Sequence, residues 1–498
     1  MKIKNYRWLW LFIIFISLYL LTRLINLGII PIFTDEAIYV YWAQVALHDP
    51  NHRFISLEDG KQPLFIWMAA VAQKFFEDPL IASRLVSVMA GLASILGIYL
   101  LAKTLFSERV AMISSLLYLV LPFTLLYDRM ALFDSLLTTF GIYAVLITFK
   151  QAKNPMLDLA LLNGFAIGLG MITKSSANFF LYLLPFSLIL FDWQKENKRQ
   201  RLLKWFVLTG LSATIALILF NLLRLSPLFY LIERKNHEFI RTFSEVFKDP
   251  LAHFPGNLDA LLGWLISYNG VLLVTVAILT IIWGYLKRQL KLIYLSFFVI
   301  APFSAMIFFN KVLYPRFELF YFPYMIILIA YAFVSVAEWQ KKHARYIWLA
   351  FLIAIFMPII NSFLLLTNPP RAKIPASDKE QYLNSWPAGY GVKEVIQVLK
   401  EEPAKNILVG TEGTFGLLPF ALKIYFYSNP NIVINGYWPV SDIPLQILDS
   451  SKNQKTFFIF NESQNIDKIP HKGNLKLVGQ YQKGSGNSFM RFYEVTPP

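Results

Sequence analysis

Eight charged residues stand where long apolar stretches break off: Asp35, Glu36, Lys61, Asp128, Arg129, Asp134, Lys174 and Arg316. The first two are adjacent, in "TDEAIYVYWAQ", at the end of the first apolar run. A carboxylate at a membrane surface suits a general base, which takes a proton from an acceptor hydroxyl or amine as a lipid-linked group departs. It equally suits a helix N-terminus, with Thr34 as the cap and both acids in the first turn. Lys61, in "EDGKQPLFIW", is a compact positive charge placed to clamp a phosphate or to snorkel from a span to the interface. "LLYDRMALFDSLLTTF" puts Asp128, Arg129 and Asp134 into one tight turn, where they serve either as a folding pair or as substrate contacts. Asp134 is expected to project into the same cavity as Asp35. Lys174, in "MITKSSANFF", is costly unless it faces water or a polar cavity. Lys311 and Arg316 are further candidate phosphate contacts, and Tyr314 and Tyr321 are placed to stack on a sugar or to sit in an interfacial belt.

These residues need elements to position them. The chain has 498 residues, 56% apolar and 16% aromatic, a composition for a membrane protein. Requiring about 17–25 apolar residues per crossing predicts eleven spans, near 8–30, 81–104, 109–126, 132–150, 157–173, 177–193, 205–225, 261–286, 290–310, 318–338 and 346–366. The first is read as an uncleaved span, because its apolar run is long for a signal peptide and no small-residue cleavage site follows. Lys2, Lys4 and Arg7 precede it. The loops "KTLFSER", "KQAK", "WQKENKRQRLLK", "LKRQLK" and "EWQKKHAR" fall on the same side. All are basic, so the positive-inside rule makes that side cytoplasmic. The charged candidates, and everything after the last span, then lie outside the cytoplasmic membrane.

Two outer loops are long. In 31–80, Ile38, Tyr41, Trp42 and Val45 recur with helical spacing, and a second helix opens at Pro63. Both helices are expected to lie along the interface with their aromatic rings at headgroup level. The loop at 226–260 is mixed in charge and partly helical. From Asn368 the composition changes. "NPPRAKIP" reads as a linker, and "AGYGVKEVIQVLKEE" as an amphipathic helix. "NILVGTE", "NIVINGYW", "KTFFIFNE", "LKLVGQY" and "SFMRFYEV" read as strands. The expected architecture is a polytopic α-helical membrane domain, 1–366, carrying a small extracytoplasmic α/β domain, 367–498.

Several classes of function are set aside by composition. There are no cysteines, hence no disulfides or thiolate chemistry. The net charge of +15 is assigned to orienting loops rather than to nucleic acid. No Walker-type loop or GxGxxG follows a strand. His48 and His52 have metal-ligand spacing, but Pro50 separates them and no third ligand is evident, so no metal site is assigned.

The ordered set is informative. It comprises a first span with Asp-Glu at its exit, amphipathic loop helices, Gly-Lys-x-Pro-Leu-x-x-Trp at 60–67, Arg-Met-Ala-Leu-x-Asp at 129–134, and Thr-Lys at 173–174. Over about residues 1–340 it resembles the C-type superfamily of membrane glycosyltransferases, in particular the protein O-mannosyltransferases and the aminoarabinose–lipid A transferases. The resemblance implies a polyprenyl-phosphate sugar donor and an inverting transfer to a lipid, glycan or protein acceptor. It implies Asp35 as catalytic base, Glu36 as a positioning acid, Asp134 as the acid of the second outer loop, and Lys61 beside the lipid phosphate. Arg129, Lys174 and Arg316 complete the implied set, and Asp128 is placed with the substrate-binding residues beside Arg129. No cofactor is expected to be required, and a role for a divalent metal is left open. The chain departs from the lipid A transferases at Gly60, where they often carry Glu, and it lacks room for the mannosyltransferases' β-trefoil insertion. The rival expectation is a membrane transporter or lipid flippase.

Overall fold

A computed structural model describes residues 4–464 and 466–498. Lys2 lies outside the described residues, as do the side chains of Lys4 and Arg7. The chain begins with α1 (Lys4–Leu24), α2 (Thr34–His48), α3 (Leu64–Ala72), α4 (Pro79–Leu105), α5 (Glu108–Val120), α6 (Pro122–Tyr127) and α7 (Phe133–Lys153). It continues through α8 (Leu157–Met171), α9 (Asn178–Tyr182), α10 (Lys198–Asn221), α11 (Leu231–Phe239) and α12 (Phe243–Lys248). The helical part closes with α13 (Phe254–Asn269), α14 (Val271–Leu286), α15 (Leu290–Phe309), α16 (Phe322–Trp339) and α17 (Ala344–Thr367).

Among the described residues, six helices are long and apolar enough to cross a membrane by themselves: α4, α7, α10 with its 3₁₀ extension to Leu225, α15, α16, and α17 with the turn before it. The expected sixth span, 177–193, is instead the short α9 followed by a 3₁₀ stretch, Leu184–Leu190. Ser175, Asn178 and Pro185 interrupt what reads as one apolar run. The expected eighth span, 261–286, is two helices meeting at 118°. Gly270 makes the corner at φ 83°, a left-handed setting that favours glycine. Both ends of α13 stay at one end of the bundle. Asn257 Nδ2 donates to the carbonyls of Met306, Ile307 and Asn310 at the C-terminal end of α15. At the other end of α13, Tyr268 hydrogen-bonds Asp378, beyond α17.

The inter-helix loops sort into two sets. At one end of the bundle Lys291 reaches the Leu105 carbonyl, Arg109 pairs with Glu338 at 2.8 Å, and Tyr331 donates to Gln289. These are the basic loops. The loops with the candidate residues gather at the opposite end.

The C-terminal segment forms a five-stranded sheet from β1 (Ile407–Glu412), β2 (Ile432–Tyr437), β3 (Lys455–Phe460), β4 (Leu475–Gln482) and β5 (Phe489–Val495). Their order is β2-β1-β3-β5-β4. The first three strands are parallel and the last two antiparallel. β1 is buried along its whole length, as suits an inner parallel strand, and its buried Glu412 accepts from the N–H groups of Asn461, Glu462 and Ser463. Helices α18 (Ala376–Lys379), α19 (Val392–Glu401), α20 (Leu417–Phe426) and α21 (Leu445–Ser450) complete it. The expected five strands and the amphipathic helix are all present.

The two parts are clamped together. Gly389 N–H donates to the Ile32 carbonyl at 2.8 Å and Thr34 N–H to Pro387 at 3.1 Å. Tyr41 stacks on Phe420 with centroids 4.5 Å apart, and Gln44 donates to Ile424. This corrects the picture of α2 as an interfacial helix with its rings among lipid headgroups. Ile38 and Trp42 are buried, and α20 covers the outer face. The residues between the spaced apolar positions, Ala37, Tyr39, Val40 and Ala43, are also apolar and buried, so most of α2 is enclosed, with Tyr41 and Val45 half-buried. Thr34 is likewise the first helical residue rather than the cap. The helix that bears exposed apolar residues is α3, with Met68 and Val71, followed by Phe75 and Phe76.

One buried base fastens the sheet to the clamp. Lys483 Nζ donates to the Trp386 carbonyl and to Asn461. Burial pulls this lysine down to about 7, against the opposing pull of Glu462 and Glu412. Between about pH 7 and the ordinary lysine value of 10.5, only the unfolded chain keeps the proton, so stability rises with pH. We expect the thermal midpoint of the full chain in detergent to rise across this interval, and Lys483→Met to remove the rise.

Candidate active site

Five of the eight candidates converge. Asp35 stands in the first turn of α2, where the helix dipole favours its charge. Arg316, between α15 and α16, donates from Nη2 to Asp35 Oδ2 at 2.6 Å. Its guanidinium lies 5.0 Å from the Tyr314 ring and 6.0 Å from both Phe33 and Phe317. Asp134 opens α7 and accepts from Lys174 Nζ at 2.6 Å. The Lys174 ammonium lies 4.3 Å over the Phe317 ring. Lys61 pairs with Asp59 at 3.1 Å and sits over the rings of Tyr39 and Trp42, at 4.8 and 5.9 Å.

The groups feel one another. Burial opposes ionisation of Asp35, but Arg316, Lys61 and Lys174 together hold its carboxyl below the ordinary aspartate range. Burial likewise opposes the Lys61 ammonium, and Tyr39, Asp35 and Asp59 outweigh it, so the proton is held more tightly than usual. Lys174 moves the other way. Burial and the charges of Arg316 and Lys61 lower it against the pull of Asp134. A carboxylate that stays ionised and a set of cations beside it are what a base and a phosphate clamp require.

Lys61 is aimed by a glycine. Gly60 has φ 64°, and a Cβ there would come within 2.4 Å of the Leu231 carbonyl on α11. Position 60 is thereby closed to any side chain in this chain.

The other three candidates turn away from the cluster, which corrects their expected roles. Glu36 is fully buried. Its carboxylate takes Arg84 Nε and Nη2 at 2.8 and 2.7 Å and the Ala131 N–H at 2.7 Å. Arg84 also donates to the carbonyls of Leu27 and Ile30. The pair ties the α1 exit, α2, α4 and the 128–132 turn together, and neither side chain has any surface exposed to a substrate. Arg129 caps α1: Nη1 donates to the carbonyls of Thr22, Arg23 and Ile25, and Nη2 to Asn26. Asp128 accepts from Tyr19, Tyr118 and Ser135 and pairs with Arg23 at 3.6 Å. The two adjacent charges do serve folding, through α1 rather than through each other.

Two further candidates also lie elsewhere. Lys311 is held by Glu245 and the His237 carbonyl. Tyr321 is buried on Glu318, which leaves Tyr314 as the ring beside Arg316.

Sequence reasoning missed the wall contributed by the 376–384 segment. "NPPRAKIP" is followed by buried chain rather than a free linker. Asp378 hydrogen-bonds Tyr127 and Tyr268. Tyr382 packs edge-on against Phe33 at 4.7 Å and shares the field of Arg316 and Asp134. The signal was available in "SDKEQYLN", where Tyr382 and Leu383 are apolar positions in a polar run.

This arrangement is a polytopic membrane fold with a charged cluster at one end. The family described as dolichyl-phosphate-mannose-protein mannosyltransferase matches residues 60–225. Among solved structures, ArnT from Cupriavidus metallidurans in the apo state is similar over 98% of this chain and 97% of its own, with TM-score 0.61 and 14% identity. The same protein bound to undecaprenyl phosphate gives TM-score 0.59 at 14% identity, over 99% of this chain and 98% of its own. The oligosaccharyltransferase AglB from Archaeoglobus fulgidus, in complex with an inhibitory peptide and a dolichol-phosphate, gives TM-score 0.56 at 12% identity, over 92% and 69%. No curated protein matches the chain in sequence. The family match contains Lys61, Asp134 and Lys174, and the shared fold extends through the C-terminal domain.

Proposed function

We propose that this protein is an integral membrane glycosyltransferase that moves a sugar from a polyprenyl-phosphate donor to an extracytoplasmic acceptor. The observation that carries the reading is the Asp35–Arg316 contact at 2.6 Å, with Lys61 and Lys174 in the same electrostatic field. On this reading Asp35 is a base and Arg316 a phosphate-binding group beside it, at the exit of a membrane helix. The basic loops at the opposite end of the bundle support an outward-facing site. The family match and the lipid phosphates named in the two neighbours' structures support the donor class.

The donor enters from the bilayer and its phosphate settles among Arg316, Lys61 and Lys174. Asp35 takes the proton from the acceptor's O–H or N–H. The acceptor's electron pair forms the new bond to the anomeric carbon as the bond from that carbon to the phosphate oxygen breaks. The oxygen leaves with its electron pair, and the cations stabilise the charge it gains. Attack opposite the phosphate inverts the anomeric centre.

Truncation of Lys61 to alanine removes one charge-assisted contact worth about 1.5–3 kcal/mol. The expected result is a rise of about tenfold or more in the apparent KM for a polyprenyl-phosphate sugar. An unchanged KM removes Lys61 from the donor site.

A further inference from the structure

Every cation of the cluster already holds a carboxylate. Arg316 is on Asp35 at 2.6 Å, Lys174 on Asp134 at 2.6 Å and Lys61 on Asp59 at 3.1 Å. Asp59 in turn is shared with Lys235 of α11 at 2.8 Å. A phosphate arriving here therefore meets no idle cation and has to compete. Arg316 is the point where competition is easiest. Its Nη2 is engaged, but its Nη1 is buried and has no hydrogen-bond partner among the described residues. A buried guanidinium donor left unpaired is costly, and a phosphate oxygen satisfies it bidentately with the neighbouring nitrogen. The same planar group thus holds the base on one nitrogen and carries a buried, unpaired donor on the other, which a phosphate reaches once the guanidinium turns from Asp35.

The pairing has a chemical cost for Asp35. Asp35 Oδ2 is committed to the guanidinium, and the carboxyl is held below the ordinary range, which makes it a weak base. Neither Lys174 nor Lys61 holds Asp35 in a direct ion pair, so Arg316 is the contact that has to be released.

We infer that the donor's phosphate competes with Asp35 for Arg316, so that loading the donor frees the catalytic base and donor binds before acceptor. The inference rests on the transferase reading. Without donor, the base stays neutralised, and an acceptor that enters alone meets a carboxylate held on Oδ2 by Arg316. With donor, the guanidinium turns to the phosphate and the carboxylate gains both freedom and basicity.

The test is binding of undecaprenyl phosphate, without a sugar, to the full chain in nanodiscs. If Asp35 and the phosphate compete for Arg316, Asp35→Asn binds the lipid about tenfold more tightly than wild type, about 1.4 kcal/mol. Asp35→Ser, which also removes the carboxylate, shows the same gain. In an Arg316→Gln background the gain disappears, because the shared group is gone. Equal or weaker binding by Asp35→Asn and Asp35→Ser overturns the competition. So does a gain that persists at full size without Arg316, since that is simple repulsion between two anions. A wild-type protein that binds no polyprenyl phosphate at all overturns the transferase reading itself, an outcome distinct from the other two.

Discussion

Asp35→Asn is expected to reduce transfer by about 10²–10⁴-fold, the contribution of a positioned general base, while the protein folds normally. The substitution keeps the size of the side chain and removes the charge that accepts the proton. Asp35 is partly exposed at the mouth of the cluster, so its loss leaves no buried charge stranded beyond Arg316, which retains its aromatic neighbours. Steady-state transfer and a thermal melt of the same preparation check both halves of the statement. Activity within a few-fold of wild type contradicts the base assignment. Loss of the folded state would instead make Asp35 a structural residue.

The adjacent acid behaves in the opposite way. Arg84→Ala is expected to destabilise the protein by about 3–5 kcal/mol, the consequence of stranding one partner of a fully buried ion pair. Both side chains are 0% exposed. Removing the guanidinium leaves the Glu36 carboxylate with the Ala131 N–H as its remaining partner and unpairs the Leu27 and Ile30 carbonyls. Because the four joined segments include the α1 exit and the start of α2, Asp35 loses its placement as well. The measurement is yield of monodisperse protein and its thermal midpoint in detergent. Replacement of both partners by apolar residues of similar volume is expected to recover much of the loss. A wild-type midpoint for Arg84→Ala would contradict the structural role given to Glu36.

These two neighbours show what was and was not legible in the sequence. That residues 35 and 36 are charged at a membrane exit is plain from the pattern. Which of them faces the cluster is not, because successive residues of a helix point about 100° apart and the faces are decided by partners far along the chain. Arg84 and Arg316 decide it, and neither is close in sequence. The same holds at 128–134. Asp134 reaches the cluster because it opens α7, whereas Asp128 and Arg129 meet α1, over a hundred residues upstream. The strands of the C-terminal sheet were legible because each is a short apolar run bounded by turn residues. The burial of α2 was not, because hydrophobic spacing fixes a helix and an apolar face but not what covers it. Lipid was the expected cover, and α20 supplies it instead. Six of the eleven expected spans are, among the described residues, helices long and apolar enough to cross alone; 177–193 breaks into α9 and a 3₁₀ stretch and 261–286 turns a corner at Gly270, since an apolar stretch reads the same whether it crosses or bends.

Transfer from a lipid phosphate at the Asp35–Arg316 site can be followed directly. The most direct measurement incubates the purified full chain in nanodiscs with radiolabelled polyprenyl-phosphate sugars and extracted membranes. It follows label into the lipid, glycan and protein fractions, with wild type beside Asp35→Asn and Lys61→Ala. Label that leaves one donor with wild type, and stays on it with Asp35→Asn, is the predicted result. Label that moves equally with wild type and Asp35→Asn, or that leaves no donor in the panel, contradicts the account.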